Sequence, residues 1–168
     1  MHWPSLIACI FLCLAVGIVS SRWTAPEIPT WYRGLRKPSF NPPNWIFAPV
    51  WTTLYILMGV AAWRVFIAPA SSARSLGLAV FVLQLTLNFF WSYIFFHRHA
   101  LGAALAEVLV LWVFIAVSLG AFARVEALAA WLLVPYLAWV SFASVLNAAL
   151  WRLNPSQNAL LARTATPE

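Results

Sequence analysis

The stretch WYRGLRKPSFNPPNWIFAPVWTTLY, from Trp31 to Tyr55, decides how the chain is read. It opens as a basic segment carrying Pro38, Pro42 and Pro43 and closes inside an apolar run. Each proline fixes φ, removes a backbone donor and disfavours α conformation in the residue before it, so a semi-rigid, non-helical loop is expected. Arg33, Arg36 and Lys37 stand among Trp31, Tyr32, Phe40 and Trp45. Cationic groups and aromatic faces thus meet at the edge of an apolar segment, a combination suited to a flat, apolar ligand with acidic substituents.

Outward from that loop the chain is apolar almost throughout. Of its 168 residues 64% are hydrophobic and 8% charged, with a mean hydropathy of +0.86, whereas about a quarter of a soluble domain is charged. A helical crossing needs about 20 mostly apolar residues, so the composition supplies about five crossings and no separate soluble domain. The excess of 10 Lys and Arg over 4 Asp and Glu reads as interfacial anchoring and topology signal, and nucleic acid is not an expected partner. Cys9 and Cys13 lie four apart on one helix face and read as small apolar residues rather than a disulfide.

The fold class expected is an all-α membrane protein: one bundle of five transmembrane helices over residues 1–155, with a structured loop between the first two. The spans are placed at about 3–21, 45–67, 75–96, 100–122 and 127–151, the loop at 22–44, and a polar tail at 156–168. Residues Met1 to Pro4 carry no Lys or Arg, so the first span is expected to be retained rather than cleaved as a signal peptide. Alternate loops put Arg64, Arg74 and Arg124 on one side and Arg22, Arg33, Arg36, Lys37, Arg98, Arg152 and Arg163 on the other. That asymmetry predicts a cytoplasmic loop 22–44 and C-terminus. With no mitochondrial presequence visible, a bacterial envelope is the expected location.

Polar groups inside spans are costly enough to be hypotheses in themselves. Gln84, Asn88 and Trp91 share a face of the third span, Trp51 and Tyr55 a face of the second, and Trp139, Ala143 and Asn147 a face of the fifth, just after Tyr136. Interspan hydrogen bonding and ligand contact are both open for Gln84 and Asn147. For Trp51, Tyr55, Trp91 and Trp139 a shared pocket is favoured, since indoles and phenols join a stacking face to one donor. Ala143 would leave room for a ligand edge. Glu107 is the one carboxylate in mid-span, as a proton-coupled transporter would need. His97 and His99 diverge and are too few for a metal site. No acid-base pair, Ser-His-Asp set or phosphate loop is present.

The pattern W-Y-x-x-L-x-K-P-x-x-x-P-P-x-W, followed by W-x-x-x-Y, resembles the tryptophan-rich sensory protein family (TspO), also called translocator protein or peripheral benzodiazepine receptor. The resemblance runs from about Trp31 to Asn154. It implies a pocket for porphyrins such as protoporphyrin IX and for isoquinoline or benzodiazepine-type drugs, at positions matching Trp51, Asn88, Trp91, Trp139, Ala143, Leu146 and Asn147, with the loop closing over it. Arg33, Arg36 and Lys37 would hold propionates; no further cofactor is required. It also implies a homodimer. Three roles stay open: a receptor for sensing, transfer or disposal; a light- and oxygen-dependent porphyrin-degrading enzyme using Trp51 and Trp139; and a proton-coupled or sterol transporter. Two departures stand out. Ala148 and Ala149 replace aromatic residues of the animal sterol pattern, which puts sterol binding in question. Ser92 and Tyr93 stand where many members have proline after the tryptophan of the third span, which puts a kink there in question.

Overall fold

The computed structural model describes residues 2–155; the expectations for the tail 156–168 and for Arg163 lie outside the described residues. Five helices follow one another: α1 (Trp3–Glu27), α2 (Phe47–Ile67), α3 (Ser72–Ser92), α4 (Leu101–Ala123) and α5 (Ala127–Leu153). Each, with its flanking turns, is long and apolar enough to cross a membrane, and no strand occurs among the described residues. Helix α1 packs on α2 and α3, α4 on α3 and α5, and the α2–α5 contact closes the bundle.

The first helix is longer than the span of 3–21 read from sequence. Helix persists through Glu27 because Trp23 packs edge-on against Phe89 and Tyr93 of the α3 arm, at ring separations of 5.0 and 5.3 Å. Pro26 and Pro29 then withhold two backbone donors, and the ladder widens into a π-helical turn, Ile28–Tyr32. The non-helical connection to α2 is therefore residues 35–43, about two-fifths of the loop expected at 22–44.

A second π-helical turn, Tyr93–His97, extends α3. The departure from α geometry needs no proline: the Arg98 N–H donates to the Tyr93 carbonyl at 3.0 Å, and the widened turn lets the consecutive Phe95 and Phe96 both face inward. His99, with φ of 52°, reverses the chain into α4.

Helix starts are capped by side chains where the sequence offers them. Ser71 Oγ accepts the Arg74 N–H at the start of α3. At the start of α5 the Glu126 carboxylate accepts the Ala129 N–H and also receives two Arg64 guanidinium hydrogen bonds, at 2.6 and 3.0 Å. The half of the bundle near these starts is tightly packed. Phe81 stacks on Phe122 at 5.6 Å, and Gly59 lies so close to α1 that a Cβ there would sit 2.6 Å from the Ile10 Cα.

Candidate functional site

The opposite half, nearest the 35–43 connection, holds a cavity of about 370 Å³. Its walls come from the second half of α1, the start of α2, the end of α3 with its π turn, and α5. Of the residues expected to form a site, the structure brings Trp51, Tyr55, Trp91, Trp139, Ala143, Leu146 and Asn147 together on this cavity. The indoles are held by aromatic neighbours: Trp51 lies 5.6 Å from the Tyr55 ring and 6.3 Å from Tyr136, Trp91 stacks on Phe95 at 5.0 Å, and Trp139 lies 5.5 Å from Phe142. Rings locked this way present fixed faces to a ligand.

Beneath the cavity a polar relay ties three helices. The Tyr55 hydroxyl donates to Asn88 Oδ1 at 2.6 Å, and Asn88 Nδ2 donates to the Tyr136 hydroxyl at 3.1 Å. Asn88 is 2% and Tyr136 0% exposed, so both serve the floor and neither lines the large cavity. Asn147 does line it and is a bridge as well: its Nδ2 donates to the Leu101 carbonyl at 2.9 Å, and its Oδ1 accepts the Trp91 indole N–H at 3.4 Å. The two readings of Asn147 from sequence, helix bridge and cavity wall, thus coincide in one side chain. Gln84 is buried without a hydrogen-bond partner and does not reach the cavity.

The basic loop is arranged differently from the expectation that it closes over a ligand with its cations inward. No residue from 33 to 43 lines the cavity; only Tyr32 and Asn44, at the two ends, do so. The Lys37 ammonium donates to the Arg33 and Leu35 carbonyls, both at 3.1 Å, and lies 4.8 Å over the Tyr32 ring. It caps the end of the α1 arm, and partial burial holds it below the ordinary lysine range. Arg33 and Arg36 are exposed. The backbone of Arg36 is clamped by Asn154, whose Oδ1 accepts the Arg36 N–H at 2.9 Å and whose Nδ2 donates to the Arg36 carbonyl at 3.0 Å. Tyr32 donates to Asn41 Oδ1 at 2.8 Å, and Leu35 is buried in a cluster with Phe95, Phe96 and Leu150. Trp31 stacks on His99 at 4.2 Å, and His99 pairs with Glu27 at 3.0 Å. The segment is a stitched lid.

Trp45 is 73% exposed, and Trp31, Trp45 and Glu107 all lie off the cavity. Both Glu107 carboxylate oxygens are buried without a hydrogen-bond partner on α4, which contributes nothing to the cavity wall. Sequence reasoning missed the contribution of α1: Gly17, Ser20, Ser21 and Thr24 line the cavity, as do Phe47, Thr52 and Phe142. A signal was present. Gly17, Ser20, Ser21 and Thr24 form a stripe of small and hydroxylated residues at helical spacing, of which only Thr24 lies past the end of the expected span at residue 21.

Fold and site together define an integral, multi-pass membrane protein with a tryptophan-walled chamber under a stitched lid. The profile of the TspO/MBR family matches residues 9–152. The tryptophan-rich protein TspO of Chlorobaculum tepidum is 46% identical over 152 residues, covering 90% of this chain and 96% of that one. Protein CrtK of Rhodobacter capsulatus is 40% identical over 157 residues (93% and 97%), and the human translocator protein 40% over 138 residues (81% and 82%). The chain belongs to the TspO/MBR family.

Proposed function

We propose that this protein is a membrane receptor for a planar tetrapyrrole such as protoporphyrin IX, acting in its sensing, transfer or disposal, and that the same chamber accepts isoquinoline- and benzodiazepine-type drugs. The observation that carries this reading is the meeting of Trp51, Trp91 and Trp139, from three helices, on one cavity of about 370 Å³ with no charged side chain in its wall. Small-molecule sites run to about 300–1,000 Å³ and are mostly apolar with a few placed polar groups. Here Asn147, Tyr55 and the hydroxyls of α1 supply the polar part of the wall, the α1 hydroxyls as acceptors because each already donates to its own helix. The family supports the reading through names: a relative from Cereibacter sphaeroides, 37% identical, is called tryptophan-rich sensory protein, and the human one translocator protein. With no cation in the wall, propionates would be left at the rim, toward the basic lid.

The second reading, oxidative breakdown of the porphyrin in light, is favoured by one feature: Trp51 and Trp139 both face the cavity, and no acid-base set accompanies them. An indole beside an excited porphyrin can donate an electron without such a set. A cytoplasmic lid, a bacterial envelope and a homodimer belong to the same proposal. Titration of the purified protein with protoporphyrin IX in darkness, followed by tryptophan quenching, tests the receptor; illumination of the same sample tests the enzyme. Trp139→Phe is expected to weaken binding about tenfold with unchanged helicity, the scale of a lost aromatic contact of about 1.5 kcal/mol. Quenching that Trp139→Phe leaves unaltered would remove the chamber from the reading.

A further inference from the structure

The exposed residues of the cavity wall lie together on one side, along two of the helices long and apolar enough to cross a membrane. Every exposed residue of its wall belongs to α1 or to the entry and start of α2: Ile18, Ser21 and Ala25 on the first, Asn44 in the turn before the second, and Ala48 and Thr52 on it. Wall residues from α3, its π turn and α5 are buried or half-buried. The gap has a physical origin in how α1 is held. As far as Gly17 it is pressed onto α2, with Gly59 against Ile10, Gly17 against the Tyr55 ring, and Trp63 Nε1 donating to Ser5 Oγ at 3.2 Å. Beyond Gly17 its ring contacts pass to the α3 arm, through Trp23 on Phe89 and Tyr93 and, in the π turn that follows, Trp31 on Phe95 at 5.6 Å. The two helices therefore touch at one end and splay at the other.

The water-facing side is shut by contrast. The lid is fixed by the Asn154 clamp on Arg36, the Tyr32–Asn41 bond and the Lys37 cap. The hydroxyls at the gap are already spent on their own helices: Ser21 donates to the Ile18 carbonyl at 2.7 Å and Thr52 to the Ala48 carbonyl at 2.9 Å. A rim without free hydroxyl donors suits an apolar body sliding past it, since each group keeps its partner throughout.

We infer that the ligand reaches the chamber sideways from the bilayer, between the second half of α1 and the start of α2, and not from water through the lid. The inference rests on the chamber being the ligand site, and it restricts the ligand class to planar, apolar molecules that dissolve in membrane. The route is set by α1 leaning on α3, so the α1–α2 gap rather than the lid controls how fast the chamber fills and empties.

The test uses full-length protein in lipid nanodiscs, with protoporphyrin IX preloaded in protein-free vesicles and tryptophan quenching followed in time. Ala25→Trp with Ala48→Trp places bulk at the rim; Ser21→Phe with Thr52→Phe is a second pair should the first fold poorly. Rim bulk is expected to slow association and dissociation together by about tenfold, with their ratio moving much less, because a barrier in the path alters both rates alike. Asn154→Ala, which unpins the lid, is expected to leave association unchanged. Faster filling in Asn154→Ala with unaltered rates in both rim pairs would overturn the inference and assign the route to the lid. Absence of equilibrium quenching in the unmodified protein is the distinct failure of the porphyrin reading. In that case an apolar aryl diazirine dissolved in the nanodisc bilayer decides the route. Photolabelling of Trp139 or Ala143 that the rim pairs abolish supports lateral access; no label on these α5 residues in the unmodified protein overturns it.

Discussion

The two ends of this bundle are built from the same five helices on opposite principles. At the end away from the lid, buried positions are small or close-stacked: Gly59, Ala61 and Ala62 on α2, Ala129 and Ala130 on α5, and the Phe81–Phe122 pair. At the lid end the wall is indole and phenyl, and the helices stand apart around a chamber. Inside a bilayer, helices associate through van der Waals contact and gain most where small residues let backbones approach. The tight end therefore supplies the stability, and the open end can afford space that would otherwise collapse. Rigid aromatic rings, each braced by another ring, keep the walls from closing.

The comparison is broken most directly by exchanging the two kinds of residue. Gly59→Leu forces a side chain onto the α1 backbone at Ile10, which has no flexible end to yield. A loss of about 3 kcal/mol or more is expected, at or beyond the upper end for overpacking, and is measured by unfolding in mixed micelles with increasing SDS. Gly120→Ala, which meets nothing within 4 Å, is the matched control with no loss expected. Filling the open end should do the reverse. Ala143→Phe adds a ring to existing space, so stability is held while ligand affinity falls by about 2 kcal/mol, or about thirtyfold. Equal unfolding losses in Gly59→Leu and Ala143→Phe would mean the ends are not distinct.

How much of this was legible in the residues differs between the ends as well. The five helices were legible because apolar runs of membrane-spanning length have no other stable home. A shared pocket for Trp51, Trp91 and Trp139 was favoured by their ring chemistry and by the family resemblance, since spacing orders residues only within one helix. The far part of the α1 wall, Thr24, Ala25 and Ile28, was not legible, because the helix outlasts its hydrophobic run, and the small and hydroxylated stripe before it was passed over. Pro26 and Pro29 each withhold a backbone donor, yet tertiary contacts of Trp23 and Trp31 carry the helix on into a π turn. Lys37 was misplaced for a similar reason: a cation beside aromatics fits a ligand anion and a helix-end carbonyl equally well, and only the chain path decides. Glu107, conspicuous in sequence, lies off the chamber because it sits on the one helix that does not reach it.

Between the two ends lies the Asn88 relay, whose removal sharpens the boundary. Asn88→Ala leaves the Tyr55 and Tyr136 hydroxyls without their shared amide. Hydrogen bonds between membrane helices average about 0.6 kcal/mol, so two lost bonds predict about 1 kcal/mol of destabilisation. Because Tyr55 and Trp51 form the cavity floor above the relay, ligand affinity should fall in the same variant. Tyr136→Phe, which leaves Asn88 its Tyr55 bond, should cost about half as much stability. A relay that served only as glue would move stability in both variants and leave binding untouched.

The smallest effect is expected where the tight end meets water. The Arg64 guanidinium beside Glu126 holds that carboxyl below its usual value, and both side chains remain about a third exposed, at 35% and 28%. Exposed pairs contribute about 0.2–1 kcal/mol, and the bidentate geometry argues for the upper part of that range. Because the folded carboxyl titrates lower than the unfolded one, its contribution is complete above the ordinary carboxylate value of about 4.3 and is lost as pH falls through the lower, folded one. Glu126→Gln keeps an oxygen to cap the Ala129 N–H while removing the charge. It should therefore lower stability slightly at neutral pH and erase this part of the acid-side decline, measured by SDS unfolding at a series of pH values. Ligand affinity should not change, because the pair joins α2 to α5 at the end opposite the chamber. A shift in affinity with Glu126→Gln would show that the tight end transmits strain to the open one and does more than brace it.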